Sequence, residues 1–318
     1  MDLLQYDFMQ RALLAALLVG LTAPVVGTFL VQRRLSLVGD GLGHVALAGV
    51  AAGALTSTSP VWAALVAAVA AGVVIELLRS RGRTSGDVAL AVMFYGGIAG
   101  GVVLISLTPA ARSVNLSSYL FGAITTTTRS DLVVFGVLAV GVLGSVLVLA
   151  PRLFAVSNDE EFARASGMPV LALNLLLAVL TAVTVVVSMR VIGLLLISAL
   201  MIVPNAVAQR VARSFTGTLV VAVAVGVSCS VSGVVASYYL DTPSGGTVVL
   251  LAIATFLVTA ALTWLRAAVT SRRHPHTEYH PHEHGPGCEH EAVPHDDHVD
   301  YVHHDHRHAV HGGHYDEH

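Results

Sequence analysis

Apolar runs about 20 residues long recur along most of this 318-residue chain. A helical run of that length crosses a hydrocarbon layer about 30 Å thick. Inside such a layer no water is available to bond the backbone, so the amides must bond one another along each segment. The expected fold is therefore an all-α, polytopic transmembrane helix bundle. The runs fall at 8–31, 35–56, 60–78, 88–108, 131–150, 169–189, 191–209, 215–238 and 246–267, which makes nine spans, or eight if one weak run does not cross. The stretch 114–126 is too short to span and reads as re-entrant or interfacial. Nothing at the N-terminus reads as a cleaved signal. Cys229 sits in an apolar run and Cys288 near the C-terminus, so no structural disulfide is expected.

Charge divides the chain in two. Residues 1–273 carry 16 Arg against 10 Asp and Glu, whereas 274–318 carry one Arg (Arg307) against 10 acidic residues and hold 15 of the 16 histidines. The first part is the expected transmembrane domain (1–273), and the second (274–318) a disordered His-rich tail. There is no Lys. A phosphate-cradling P-loop needs a Lys after its glycines, so ATP hydrolysis by that route is excluded. Twelve of the 16 arginines of residues 1–273 fall in the loops near 31–35, 79–87, 151–168 and 210–214 or at the end of the last span. The positive-inside rule makes that side cytoplasmic, with the N-terminus outside and the tail inside.

Within the second run lie Asp40 and His44, two ionisable residues in LSLVGDGLGHVALAGVAAGA. Ionisable groups in a span need a partner, a wet cavity or a ligand. Four residues apart, they share one helix face about 6 Å apart along the axis. A carboxylate and an imidazole suit zinc or manganese. The competing reading is an ion pair that holds two helices in register. Small residues at four-residue spacing, Gly39/Gly43, Gly49/Gly53, Gly96/Gly100 and Gly97/Gly101, favour close helix approach.

The longest internal polar stretch is 151–169, PRLFAVSNDEEFARASGMP. Ser157 or Asn158 can cap a short helix whose first turn holds Asp159, Glu160 and Glu161, with Gly167 just past its end. Such a helix is a docking element or an ordinary connector. Pro204 bends the run at 191–209 and marks a span that can line a pathway. The 238–247 segment, YYLDTPSGGT, is a turn.

From His274 onward the chain lacks the apolar residues to build a core and is expected to be disordered without ligand. Neutral imidazoles ligate zinc, and neighbouring carboxylates add capacity. The candidate tail ligands are His274, His276, His280, His282, His284, His290, His295, His298, His303, His304, His306 and His308.

RRLSLVGDGLGHVALAGVA resembles the signature of the permease subunits of bacterial ABC-type zinc and manganese uptake systems, and the zinc-uptake permease most of all. The likeness extends to SSYLFG at 117–122, DEEFARASG at 159–167, VIGLLLISALMIVPNAVA at 191–208 and SYYLDTPSGGTVVL at 237–250. It implies a multi-pass bacterial membrane protein that works as a homodimer. It also implies two partners: a cytoplasmic ATP-binding subunit and an extracytoplasmic metal-binding protein. The family's pathway ligands fall on Asp40 and His44, and its ATPase-contacting loop on Asp159, Glu160, Glu161, Phe162, Ala163 and Gly167. Gly43, Ala48, Ala123 and Asn205 depart from the family's usual Ser, Pro, Asp and Ala.

The function expected is import of a divalent metal, zinc first, by alternating access driven by a partner ATPase. No cofactor is permanently bound, nucleic acid is not a partner, and the chain itself is not an enzyme. Two alternatives stand beside this: an ATP-independent secondary metal transporter, and a membrane metal sensor whose active part is the tail.

Overall fold

The computed structural model describes residues 5–81, 86–107, 116–122, 128–189, 192–194, 196–273, 290–295, 298–303, 306–311 and 314–317. They form two compact units, Met1–Thr259 and Ala260–His318. Eleven helices are described: α1 (Asp7–Gln32), α2 (Val38–Leu55), α3 (Pro60–Ser80), α4 (Gly86–Leu107), α5 (Leu116–Phe121), α6 (Arg129–Asn158), α7 (Glu160–Ala165), α8 (Val170–Ser188), α9 (Ile197–Val211), α10 (Phe215–Leu240) and α11 (Ser244–Arg273). Among the described residues, eight are long and apolar enough to cross a membrane. The all-α polytopic fold is therefore as expected, with the lower of the two span counts.

The run that falls short is 191–209. Its helix, α9, begins only at Ile197 and has 15 residues, about 22 Å at 1.5 Å per residue. The reason lies just before it. Gly193 has φ +96, and a Cβ there would collide with the backbone of Leu120 and Phe121. Only glycine fits, and a helix cannot run through that conformation. The Leu194 amide instead donates to the Tyr119 carbonyl of α5, 2.8 Å away. The short helix at 116–121 thus supplies backbone acceptors where α9 has not yet begun. The neighbouring residues 108–115 and 123–127 lie outside the described set.

The helix ends follow from their sequences. Pro60 opens α3, where its missing N–H costs nothing. Thr128 and Asp131 form a reciprocal capping box on α6. The Ser214 hydroxyl accepts from the Gly217 amide at the start of α10, and Asp241 closes that helix in the left-handed region with φ 52. One expected cap moves. Because α6 continues through Pro151 to Asn158, neither Ser157 nor Asn158 can cap α7, and Asp159 does so.

α1 and α8 are the central staves. Buried residues make up 72% and 61% of their apolar windows, against 22–33% for α3, α4, α6 and α10. α1 packs on α6, α8, α9 and α10, and α2 packs on both α3 and α4. The glycine spacing is partly used. A Cβ on Gly49 or Gly53 would strike α3, and one on Gly97 would strike the α2 backbone at His44 and Val45, whereas Gly96 meets nothing.

A buried polar knot ties α1 to α9 where both helices carry proline. The Asn205 amide donates to the Pro24 carbonyl (2.9 Å) and the Met201 carbonyl (2.8 Å). The Thr28 hydroxyl donates to the Asn205 Oδ1 (2.7 Å) and lies 2.9 Å from the Pro24 carbonyl. Asn205 is fully buried, so its hydrogen bonds are made away from water.

In the second unit four strands, β1 (Ala292–His295), β2 (His298–His303), β3 (His306–His311) and β4 (His314–Glu317), pair antiparallel in the order β1-β2-β3-β4. β2 and β3 contain β-branched or aromatic residues, Val299, Tyr301, Val302 and Val310, which suit strands.

Replacing Asn205 by Leu should lower the stability of the purified protein by about 1–3 kcal/mol, since it removes three buried hydrogen bonds between and along α1 and α9. Thermal unfolding in detergent, followed by tryptophan fluorescence or light scattering, measures this. An unchanged midpoint would mean that the knot contributes nothing.

Candidate functional site

Asp40 lies in the first turn of α2, where the helix dipole favours a negative charge. Its Oδ1 accepts a hydrogen bond from the Ser198 hydroxyl of α9 at 3.3 Å. His44, one turn deeper, sets its ring edge-on to Phe94 of α4, 4.5 Å between centroids. Both side chains are half-buried. Asp40 opens into a groove of about 380 Å³ lined by Leu37, Leu90, Ala91, Phe94 and Tyr95. α2 and α4 come this close because Gly97 leaves no side chain against the His44 turn. On the opposite side of α2, a Cβ on Gly43 would stand 3.0 Å from the Leu194 carbonyl oxygen. That peptide oxygen therefore faces α2 at the residue before His44.

The pair expected from sequence is thus held on one face of α2, between α4 and α9. Pro204 lies in α9, whose first turn reaches Asp40 through Ser198. Among the described residues, no third His, Cys, Asp or Glu joins the pair. The neutral oxygen donor beside it is the Ser198 hydroxyl. Ser198 was legible in principle as the lone hydroxyl in the apolar opening of α9, ISALMIV. An imidazole, a carboxylate and a hydroxyl form a mixed nitrogen and oxygen set suited to a divalent transition metal.

The other assigned region is α7 and its flanks. The Asp159 carboxylate accepts from the Phe162 amide at 2.8 Å and caps the helix. Gly167 follows the helix with φ +77, as expected. Ala163 is fully buried, while Glu161 and Phe162 face outward, Phe162 with 64% of its surface exposed. Glu160 points back into the bundle. It accepts from Arg79 at 3.1 Å, from Arg33 at 3.4 Å and from Arg164 at 3.1 Å. Arg79 also binds Glu76 through two nitrogens, at 2.8 and 3.0 Å. Partial burial pushes the Glu160 carboxyl up, but the guanidiniums of Arg79, Arg33 and Arg164 outweigh it and hold it below its ordinary 4.5. Burial, with Arg79 nearby, lowers Arg33. Arg33 and Arg79 were not assigned from sequence, because they come from helix ends more than 80 residues away in the chain.

Of the tail histidines, His290 is described, and His295, His298, His303, His306 and His308 lie on strands. His274, His276, His280, His282, His284 and His304 lie outside the described residues. His298 stands 3.2 Å from the fully buried Asp300.

The model of the ABC 3 transport family matches residues 5–263. The high-affinity zinc uptake system membrane protein ZnuB of Buchnera aphidicola is 28% identical over 74% of this chain and 90% of its own length. The manganese transport system membrane protein MntC of Halalkalibacterium halodurans is 30% identical over 80% of this chain and 87% of its own. Among solved structures, PsaBC from Streptococcus pneumoniae in complex with Fab superposes with a TM-score of 0.73 at 30% identity, covering 81% of this chain and 92% of that one.

The Glu160 network should respond to acid with a definite sign. A carboxyl whose folded pKa lies below its unfolded value adds stability that is complete above the unfolded value. That stability is lost as pH falls through the lowered one. The unfolding midpoint of the wild type should drop as pH falls below about 4.5, and Glu160→Gln should remove part of that drop. Identical acid profiles for the two would contradict the assignment.

Proposed function

The chain belongs to the ABC 3 transport family, and on that footing we propose that it is the membrane permease subunit of an importer of divalent metal, with zinc as cargo. The observation that carries this reading is the Asp40–His44 pair, set between α4 and α9 with the Ser198 hydroxyl on the carboxylate. A charged group at this depth is costly unless it serves a ligand or pathway. The relatives named for zinc and manganese support metal as the cargo. The imidazole in the pair and the His-rich tail favour zinc over manganese.

Metal passes Asp40 and His44 as the bundle alternates between outward and inward access. Each ligand binds transiently, because two side chains with neutral oxygens hold a divalent ion loosely enough to release it. ATP is hydrolysed by a cytoplasmic partner that docks on α7, where the outward-facing Phe162 offers an apolar contact. An extracytoplasmic binding protein delivers the ion. Two copies of the chain work together, and the exposed groove beside Asp40, rimmed by Leu37 and Tyr95, is the face that a second copy covers. The arginine-rich end, with Arg33, Arg79 and Arg164, lies in the cytoplasm together with the tail.

The tail binds metal entering the cell. The register sets Tyr301 against His308 and His303 against His306, so His303, His306 and His308 share one face of β2 and β3. Imidazole protonation should weaken this binding below about pH 6.

Asp40→Ala and His44→Ala should each abolish metal uptake by the complex with its ATPase while leaving the protein in the membrane. Radioactive zinc uptake and metal-stimulated ATP hydrolysis, compared across several divalent ions, read this out. Normal uptake by both variants would remove the site, and preferential stimulation by manganese would overturn the choice of zinc. Deleting residues 274–318 should leave maximal uptake within about twofold and shift its dependence on metal concentration. Complete loss of uptake in an expressed protein would refute a buffering tail.

A further inference from the structure

The acidic run Asp159-Glu160-Glu161 divides three ways: Asp159 caps α7, Glu161 faces outward, and Glu160 turns inward. A residue whose only task was to touch a partner would not turn inward. Glu160 instead gathers guanidiniums from two other helix ends, Arg33 after α1 and Arg79 at the end of α3. The Arg33 side chain is only 6% exposed, so Glu160 answers a nearly dry charge, and its loss would leave that charge largely unmatched.

Arg33 is also the first residue of a stiff link. Arg34 follows in the left-handed region with φ 57, and the Leu35 amide closes back onto the Leu30 carbonyl at 2.9 Å. This six-to-one bond, with a left-handed residue inside it, is a Schellman turn. The Val38 amide then bonds the Leu35 carbonyl at 3.1 Å, and α2 starts at once with Asp40 in its first turn. Every residue from Arg33 to Asp40 thus lies in a helix end or in a turn closed by hydrogen bonds. A displacement of Arg33 cannot be absorbed by slack chain.

We propose that Glu160 is a positioning residue that gears α7 to the pathway carboxylate: Glu160 grips Arg33, and the closed turn carries that grip to Asp40. Glu160→Gln then disconnects ATP hydrolysis from transport without undoing the ATPase contact. The inference rests on α7 being the ATPase-docking helix, as proposed above.

The test uses the full complex in liposomes and measures both zinc taken up and ATP consumed. Glu160→Gln should still co-purify with the ATPase and still hydrolyse ATP, while zinc moved per ATP falls at least tenfold. Arg33→Gln should show the same loss, and the double variant should be no worse than either single variant, because both break one link. Glu160→Asp, which keeps the charge, should recover much of the ratio. Arg164→Gln, at an arginine with 66% of its side chain exposed, should leave the ratio near wild type. Additive losses in the double variant, or an unchanged ratio in Glu160→Gln, would overturn the link. Loss of the ATPase on Glu160→Gln would also overturn it, by making Glu160 a direct contact. Phe162→Ala checks the premise separately: undiminished co-purification there would count against α7 as the docking helix, whatever Glu160 does.

Discussion

Peptide groups in hydrocarbon must find partners within the protein, and this chain's architecture follows from how it meets that requirement where its helices are imperfect. Uninterrupted runs such as α6 and α10 satisfy themselves. Near Pro24 and Pro204, Asn205 and Thr28 add side-chain hydrogen bonds between α1 and α9, reaching the Pro24 and Met201 carbonyls. At Gly193 the helix stops, and α5 brings the Tyr119 carbonyl to the Leu194 amide. These contacts are local, but each crosses between elements distant in sequence.

The same requirement shapes the candidate pathway. At the start of α2, Asp40 meets a hydroxyl from α9, which begins after the Gly193 break. His44 could not reach Phe94 if Gly97 carried a side chain. A helix end, a break and a missing methyl thus combine to hold two ionisable side chains together. Glu160 answers Arg33 and Arg79, and Arg33 is joined to the Asp40 turn by one short, hydrogen-bonded piece of chain.

Much of this was legible in the sequence. Hydropathy runs place the eight spans, most of them to within a few residues although α6 runs eight residues past its run, and the spacing of Asp40 and His44 puts them on one face. Capping chemistry finds α7, though α6 runs on through Pro151 and shifts its cap by one or two residues. What sequence alone misses has one physical character: partners brought from far along the chain. Ser198 is an ordinary serine until α9 packs on α2. Asn205 stands out only as a departure from a family pattern, and its three hydrogen bonds appear only when α1 lies beside α9. Span length misleads at α9, because the six residues of the run before it read as helix although Gly193 excludes one. In the tail, low apolar content argues against a packed core. It does not argue against paired strands, which need only short alternating segments and tight turns.

The Leu194 carbonyl has an experimental consequence. It faces Gly43, beside His44, and it belongs to the backbone. Changing the side chain at position 194 leaves that oxygen in place, so a scan of point variants across the region is blind to it. The group can be reached in two ways: by exchanging the amide for an ester, or by placing a side chain at Gly43 that occupies the space in front of it. A ligand set inferred from side-chain replacements alone would therefore come out one oxygen short wherever this carbonyl takes part.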